Sequence, residues 1–97
     1  MPASFDRIRV SVPDHVITRA VGGSTVILDV NSGRSFSLDD AGSRVWALLT
    51  STGSAQATRD TLIEEFNADV VQLEQDLEAL IAKLAERRLL DLQELSA

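Results

Sequence analysis

The chain contains no cysteine. That excludes disulfides, thiolate metal sites and a cysteine nucleophile. Histidine occurs once, as His15, with no carboxylate cluster beside it, and a lone histidine on a strand reads as structural or exposed. Aromatic residues make up only 4% of the 97 residues. No apolar run approaches the roughly 18 residues of a membrane span. The N-terminus lacks the basic-then-apolar order of a signal peptide. These absences lead us to expect a soluble, cytoplasmic protein. Neither glycine-rich phosphate-binding signature occurs, so Gly22, Gly23 and Gly33 read as turn residues.

Cations are also scarce, with 9 Lys and Arg against 15 Asp and Glu and a net charge of −6. The deficit is uneven. Residues 1–57 hold five acidic and five basic side chains, whereas residues 58–97 hold ten and four. The C-terminal part is therefore a poor match for DNA, because phosphate contacts need Lys and Arg. No nucleic-acid or membrane partner is expected.

What is present suffices for one domain with a modest core, since 44% of the chain is hydrophobic. Its organising stretch is Thr25 to Leu49. A β-branched run, Thr25 to Val30, leads into Asn31-Ser32-Gly33, residue types that tight turns favour. The second run, Arg34 to Leu38, alternates, with Phe36 and Leu38 on one face. Asp39 or Asp40 then caps a helix carrying Val45, Trp46, Leu48 and Leu49.

Upstream, Met1 to Arg7 has no periodicity and reads as a loose lead-in. Ile8, Val10 and Val12 alternate with polar residues until Pro13, which marks an edge or a bend. His15 to Ala20 is a further strand candidate, followed by the turn Val21 to Ser24. The expected sheet is thus a meander of three strands, near His15–Ala20, Thr25–Val30 and Arg34–Leu38. Downstream, a second helix is expected over about Ala55–Phe66, with Leu62, Ile63 and Phe66 facing inward. Asp69 reads as the N-cap of a third, with Gln72 as its capping-box partner. This helix carries Val70, Leu73, Leu77, Leu80, Ile81 and Leu84 at steps of three or four and runs to about Arg87. Its acids (Glu74, Asp76, Glu78) precede its cations (Lys83, Arg87, Arg88), which complements the helix dipole. Leu89 to Leu92 adds a short strand or a tail packed on the core.

The chemistry-bearing candidates all have plainer readings. Asp39 and Asp40 are consecutive and point apart, so a helix cap explains them better than a carboxylate pair. Glu64 and Glu65, like Glu74, Asp76 and Glu78, read as solvated helix faces. Trp46 lies within an apolar helix face and reads as core. With no nucleophile, base or metal cluster, we expect no catalytic residue, no metal and no cofactor. The chain does not read as an enzyme. Binding is the class that remains.

The run from Leu28 to Asp39, then Gly42, then Val45 to Leu49 with its Trp46, forms an ordered set of motifs. Asp76-Leu77, Leu80, Leu84 and Leu89-Leu90 extend it. Together they resemble the PqqD-like family, the small peptide-recognition domains of ribosomally made, post-translationally modified peptide pathways. The likeness covers about Val12 to Leu92. One departure is Arg88, where many relatives place a glycine before Leu-Leu, and this leaves open where the third helix ends.

The resemblance implies an α+β fold: a winged helix-turn-helix with a three-stranded antiparallel sheet followed by three α-helices. It makes residues 8–93 a peptide-recognition domain between a flexible 1–7 and a tail at 94–97. It implies a non-catalytic protein that binds the leader of a precursor peptide by β-strand addition. By the same likeness, backbone pairing falls to Arg34, Ser35, Phe36, Ser37 and Leu38. Helix contacts fall to Asp76, Leu77, Leu80, Lys83 and Leu84, with Asp76 and Lys83 as polar anchors; for Leu77 and Leu84 the core is an equal alternative. The closest likeness is to the free-standing recognition subunit of lasso-peptide systems. Its implied partners are a leader segment, a transglutaminase-like cysteine protease acting as leader peptidase, and a cyclase. Two alternatives stand beside it: a PqqD-type chaperone presenting a precursor to a radical enzyme, and a winged-helix DNA-binding regulator.

Overall fold

A computed structural model of the protein describes residues 7–94. The expected lead-in and C-terminal tail lie outside these residues except for Arg7 and Glu94. The elements are β1 (Ile8–Ser11), β2 (Val16–Val21), β3 (Ser24–Asp29), β4 (Ser35–Leu38), α1 (Asp40–Thr52), α2 (Ala55–Phe66), α3 (Val70–Glu86) and β5 (Asp91–Glu94). Strands β2, β3 and β4 form an antiparallel sheet in that order, and the three helices follow it. This is an α+β fold with the winged helix-turn-helix arrangement.

Register places the sheet's inner face. Ile27 pairs with Phe36 and Thr25 with Leu38, so these four side chains point to the same side. Ile27 is fully buried and Leu38 is buried, joining Trp46 and Leu49 of α1 and Leu77, Ile81 and Leu84 of α3 in one core. The expected inward role of Trp46 holds, at 4% exposure.

The three-strand expectation is incomplete. The alternation of Ile8, Val10 and Val12 does make a strand, and its partner is β5 at the other end of the chain. Ile8 pairs with Glu94 and Ser11 with Asp91, forming a separate two-stranded antiparallel sheet. Leu89 and Leu90, both buried, anchor the chain just before β5.

The helix ends follow the local chemistry. Asp39, not Asp40, caps α1, its carboxylate accepting from the Gly42 amide at 2.9 Å. Gly53 closes the helix in the left-handed region, at φ 66°. Asp69 caps α3 by accepting from the Val71 and Gln72 amides. The expected capping box is only half made, because the Gln72 side chain donates to Asp76 at 2.9 Å instead of returning to the cap. α3 stops at Glu86, and Arg88 turns the chain in a left-handed conformation, at φ 60°. There the Leu89 amide donates to the Leu84 carbonyl at 2.9 Å.

Two expectations for side chains fail. Phe66 does not face inward but stands 59% exposed. It is the last residue of α2, where Asn67 reverses the chain at φ 50°, and that end overhangs the core; Val70 and Val71 are exposed at the same corner. Glu65 and Glu74 are not simply solvated. Glu65 pairs with Arg44 at 3.0 Å and Glu74 with Arg59 at 2.8 Å, linking α1 to α2 and α2 to α3. Such surface pairs contribute about 0.2–1 kcal/mol each.

Candidate functional site

The order β2-β3-β4 leaves β4 at a sheet edge. The Asp29 amide donates to the Arg34 carbonyl at 2.9 Å, which makes Asp29 and Arg34 a hydrogen-bonded pair. Antiparallel ladders alternate bonded and non-bonded pairs. Ile27–Phe36 and Thr25–Leu38 are therefore the next bonded pairs. The N–H and C=O groups of Ser35 and Ser37 consequently point outward from the edge. No Pro or Lys blocks it, the devices with which natural edges are commonly protected.

The turn that presents this edge is fastened from within. The Asp29 carboxylate accepts from the amides of Asn31 at 2.9 Å and Ser32 at 3.3 Å. Burial alone would raise this carboxyl's pKa, but the Ser32 and Asn31 amides outweigh it and hold it below the ordinary carboxylate value. The Gly33 amide donates to the Asp29 carbonyl at 2.8 Å, and Gly33 takes φ 75°, which glycine adopts without steric cost. The turn thus spans Val30 to Arg34 and is longer than the Asn-Ser-Gly signal suggests.

α3 supplies the other wall. Phe36 is half-buried on the inner face of β4 and packs against the core. The Lys83 ammonium lies 6.0 Å from its ring centroid and the Arg87 guanidinium 5.0 Å. Cations so placed are attracted by the ring's negative face. Leu80, also half-buried, sits one turn before Lys83, so Leu80, Lys83 and Arg87 form one stripe at steps of three and four. Beyond this stripe a pocket of about 530 Å³ opens between the β3–β4 turn and the end of α3. It is lined by Asp29, Ser32, Arg34, Ser35, Glu86, Arg87, Arg88 and Leu89. The turn of the chain at Arg88 is tied to the start of β2, because His15 Nε2 donates to the Arg88 carbonyl at 3.0 Å.

The residues expected to act together are brought together in part. Phe36 and Lys83 meet; Ser35 and Ser37 offer free backbone, while the backbones of Arg34, Phe36 and Leu38 face β3. Asp76 is exposed two turns before Lys83, with its carboxylate accepting from Gln72. Leu77 and Leu84 are 2% and 0% exposed, so they lie in the core beneath the groove. Arg87 and Arg88 were not among the expected contacts. The available signal was the four-residue step from Lys83 to Arg87, which puts both on one helix face.

The groove's means are those of recognition: unpaired backbone groups, a half-buried ring and cations. Among the described residues no three His, Asp or Glu side chains are grouped so as to hold a metal ion. None of the described helices is long and apolar enough to cross a membrane.

Comparison with curated proteins finds no match. Among solved structures, "TbiB1 in Complex with the TbiA(beta) Leader Peptide" is similar, with 30% identity and a TM-score of 0.79 over 84% of this chain and 94% of that one. The model of the family described as coenzyme PQQ synthesis protein D (PqqD) matches residues 24–90, from the first residue of β3 to the buried Leu89-Leu90. The chain belongs to the PqqD family.

Proposed function

We propose that this protein is a non-catalytic recognition element that binds the leader of a ribosomally made precursor peptide, which adds to β4 as a fourth strand. One observation carries the reading. The outward backbone groups of Ser35 and Ser37 lie beside the Leu80–Lys83–Arg87 stripe, so an added strand meets hydrogen-bonding groups along its side and a side-chain wall across its face. The TbiB1 structure, which contains a leader peptide, supports it.

Magnitudes decide what each part contributes. Ser35 and Ser37 offer two donors and two acceptors, and about four edge hydrogen bonds stabilise a complex by roughly 2–6 kcal/mol. Ordering about five leader residues costs roughly 5–10 kcal/mol. The backbone alone does not hold the peptide. Side chains burying some 200–300 Å² of apolar surface against Phe36 and Leu80 supply about 5–8 kcal/mol more. Backbone pairing sets the register, and the α3 wall provides the surplus. In this reading Arg34, Phe36 and Leu38 hold the edge in place, Asp76 and Lys83 are polar anchors, and Leu77 and Leu84 support α3 from beneath.

The protein then hands the captured precursor, of lasso-peptide type, to a separate leader peptidase of the transglutaminase-like cysteine protease class and to a cyclase, all in the cytoplasm. The family's description favours a second reading, in which the same docked precursor is presented to a radical enzyme during quinone-cofactor synthesis. The test is fluorescence anisotropy with a labelled leader from the precursor encoded beside this protein, using wild type and Ser37→Pro. Proline at 37 removes one outward N–H and leaves the β3 ladder intact. We expect saturable binding that Ser37→Pro weakens at least tenfold. Absence of saturation overturns leader recognition, and equal affinities overturn strand addition.

A further inference from the structure

The charge of this chain is −6, yet among the described residues the cations around the β4 edge have no carboxylate within ion-pair distance. Among the described residues the ion pairs are Arg44–Glu65, Arg59–Asp60 and Arg59–Glu74. Arg34, Lys83, Arg87 and Arg88 take part in none of them. Lys83 and Arg87 lie over Phe36, and Arg34, Arg87 and Arg88 line the pocket beside it. The two acids of that pocket do not neutralise the group. Asp29 and Glu86 set two negative charges against the three positive charges of Arg34, Arg87 and Arg88, so the lining keeps an excess of one positive charge, and Lys83 beside Phe36 adds another. At the other end of the α3 face stands the acidic Asp76.

The groove therefore has an electrical direction, and the sheet gives it a structural one. The strand pairs among the described residues are antiparallel, and a leader added in the same sense to β4 runs from the Leu38 end to the Ser35 end. Its C-terminal end leaves the sheet beside Ser35, at the mouth of the arginine-lined pocket. A strand running the other way would deliver its N-terminal end there. We infer that a segment docking antiparallel on β4 carries one or two carboxylate side chains at its C-terminal end, seated among Arg34, Lys83, Arg87 and Arg88. This rests on the leader-binding reading above, with the leader added antiparallel, and adds the ligand's charge and its placement. Arginine suits the role because its planar fork meets a carboxylate with two parallel hydrogen bonds.

The test uses the full chain and the labelled leader already described, in three versions. One is unchanged, one has Asp and Glu of its C-terminal flank replaced by Asn and Gln, and one has the same change in its N-terminal flank. Exposed charge pairs each shift affinity by about two- to fivefold, so removing two is expected to weaken binding about tenfold. We expect that loss for the C-terminal version alone, a similar loss for Lys83→Gln/Arg87→Gln with unchanged leader, and no further loss when both are combined. Arg87→Lys keeps the charge but loses the planar fork and its stacking on Phe36, so its affinity is expected to fall between wild type and Lys83→Gln/Arg87→Gln. Melting curves of the variants separate lost binding from lost folding. Saturable binding indifferent to the C-terminal neutralisation, or weakened equally by the N-terminal one, overturns this inference and leaves leader recognition standing. A leader that binds but has no acid in its C-terminal flank does the same. No saturable binding by any version overturns both.

Discussion

Arg88→Gly should make this protein more stable, although it deletes a charged side chain and adds nothing. Arg88 occupies the left-handed region at φ 60°, directly after α3. A residue with a Cβ is disfavoured there by about 1–2 kcal/mol. Glycine removes that penalty but gives back roughly 0.5–1 kcal/mol through its freer unfolded chain. The net expectation is a gain of about 0.5–1 kcal/mol. The interactions at this site are backbone ones and survive the change: the Arg88 amide to the Ala85 carbonyl at 3.0 Å, and the Arg88 carbonyl accepting from His15 at 3.0 Å. Urea unfolding reads the outcome. With a slope of roughly 1–1.5 kcal/mol per molar, the midpoint should rise by about 0.5 M. Arg88→Ala is the control, since it deletes the same side chain but keeps the Cβ. A midpoint for glycine no higher than that for alanine would refute the reasoning, because backbone conformation would then not decide stability at Arg88.

Other perturbations separate core from groove. Trp46→Ala empties a fully packed site and should cost about 3–5 kcal/mol, enough to unfold much of a marginal domain, as circular dichroism would report. Leu77→Ala should lower stability by about 2–5 kcal/mol, whereas Leu80→Glu should leave the fold largely intact and weaken leader binding. Equal loss of melting temperature in both would place Leu80 in the core. The Asp29 carboxylate has its pKa lowered in the folded state, so its contribution is present above the unfolded pKa and is lost as pH falls through the folded one. Acid titration followed by the Asn31 and Ser32 amide resonances should show the turn loosening below the ordinary carboxylate range, and Asp29→Asn should abolish that step.

The sheet edge and the helix caps were legible because their signals are local. Phe36 and Leu38 alternate within five residues, and Asp39 and Asp69 precede apolar periods that only a helix satisfies. The β1–β5 sheet was not legible. Ile8 and Glu94 are joined by no turn, and strand pairing between distant segments leaves no mark beyond two short alternations. The leucines of α3 show a different limit. Spacing puts Leu77, Leu80, Ile81 and Leu84 on one broad stripe, but which of them reach the rim depends on how the helix is rolled against β3 and β4. The structure turns Leu77, Ile81 and Leu84 inward and leaves Leu80 half-buried. The same roll brings Arg87 over Phe36 and makes a contact that charge counting alone could not place. Arg88 was conspicuous as a departure from the family, and its positive φ now gives the physical reason glycine suits that position.

Residue-resolved amide hydrogen exchange at β4, with and without leader, tests strand addition most directly. The N–H groups of Ser35 and Ser37 face outward from the edge, whereas that of Phe36 faces β3. On saturation with leader, exchange at Ser35 and Ser37 should slow strongly while Phe36, already bonded, changes far less. A leader that saturates the protein yet leaves Ser35 and Ser37 exchanging as before would contradict strand addition to β4.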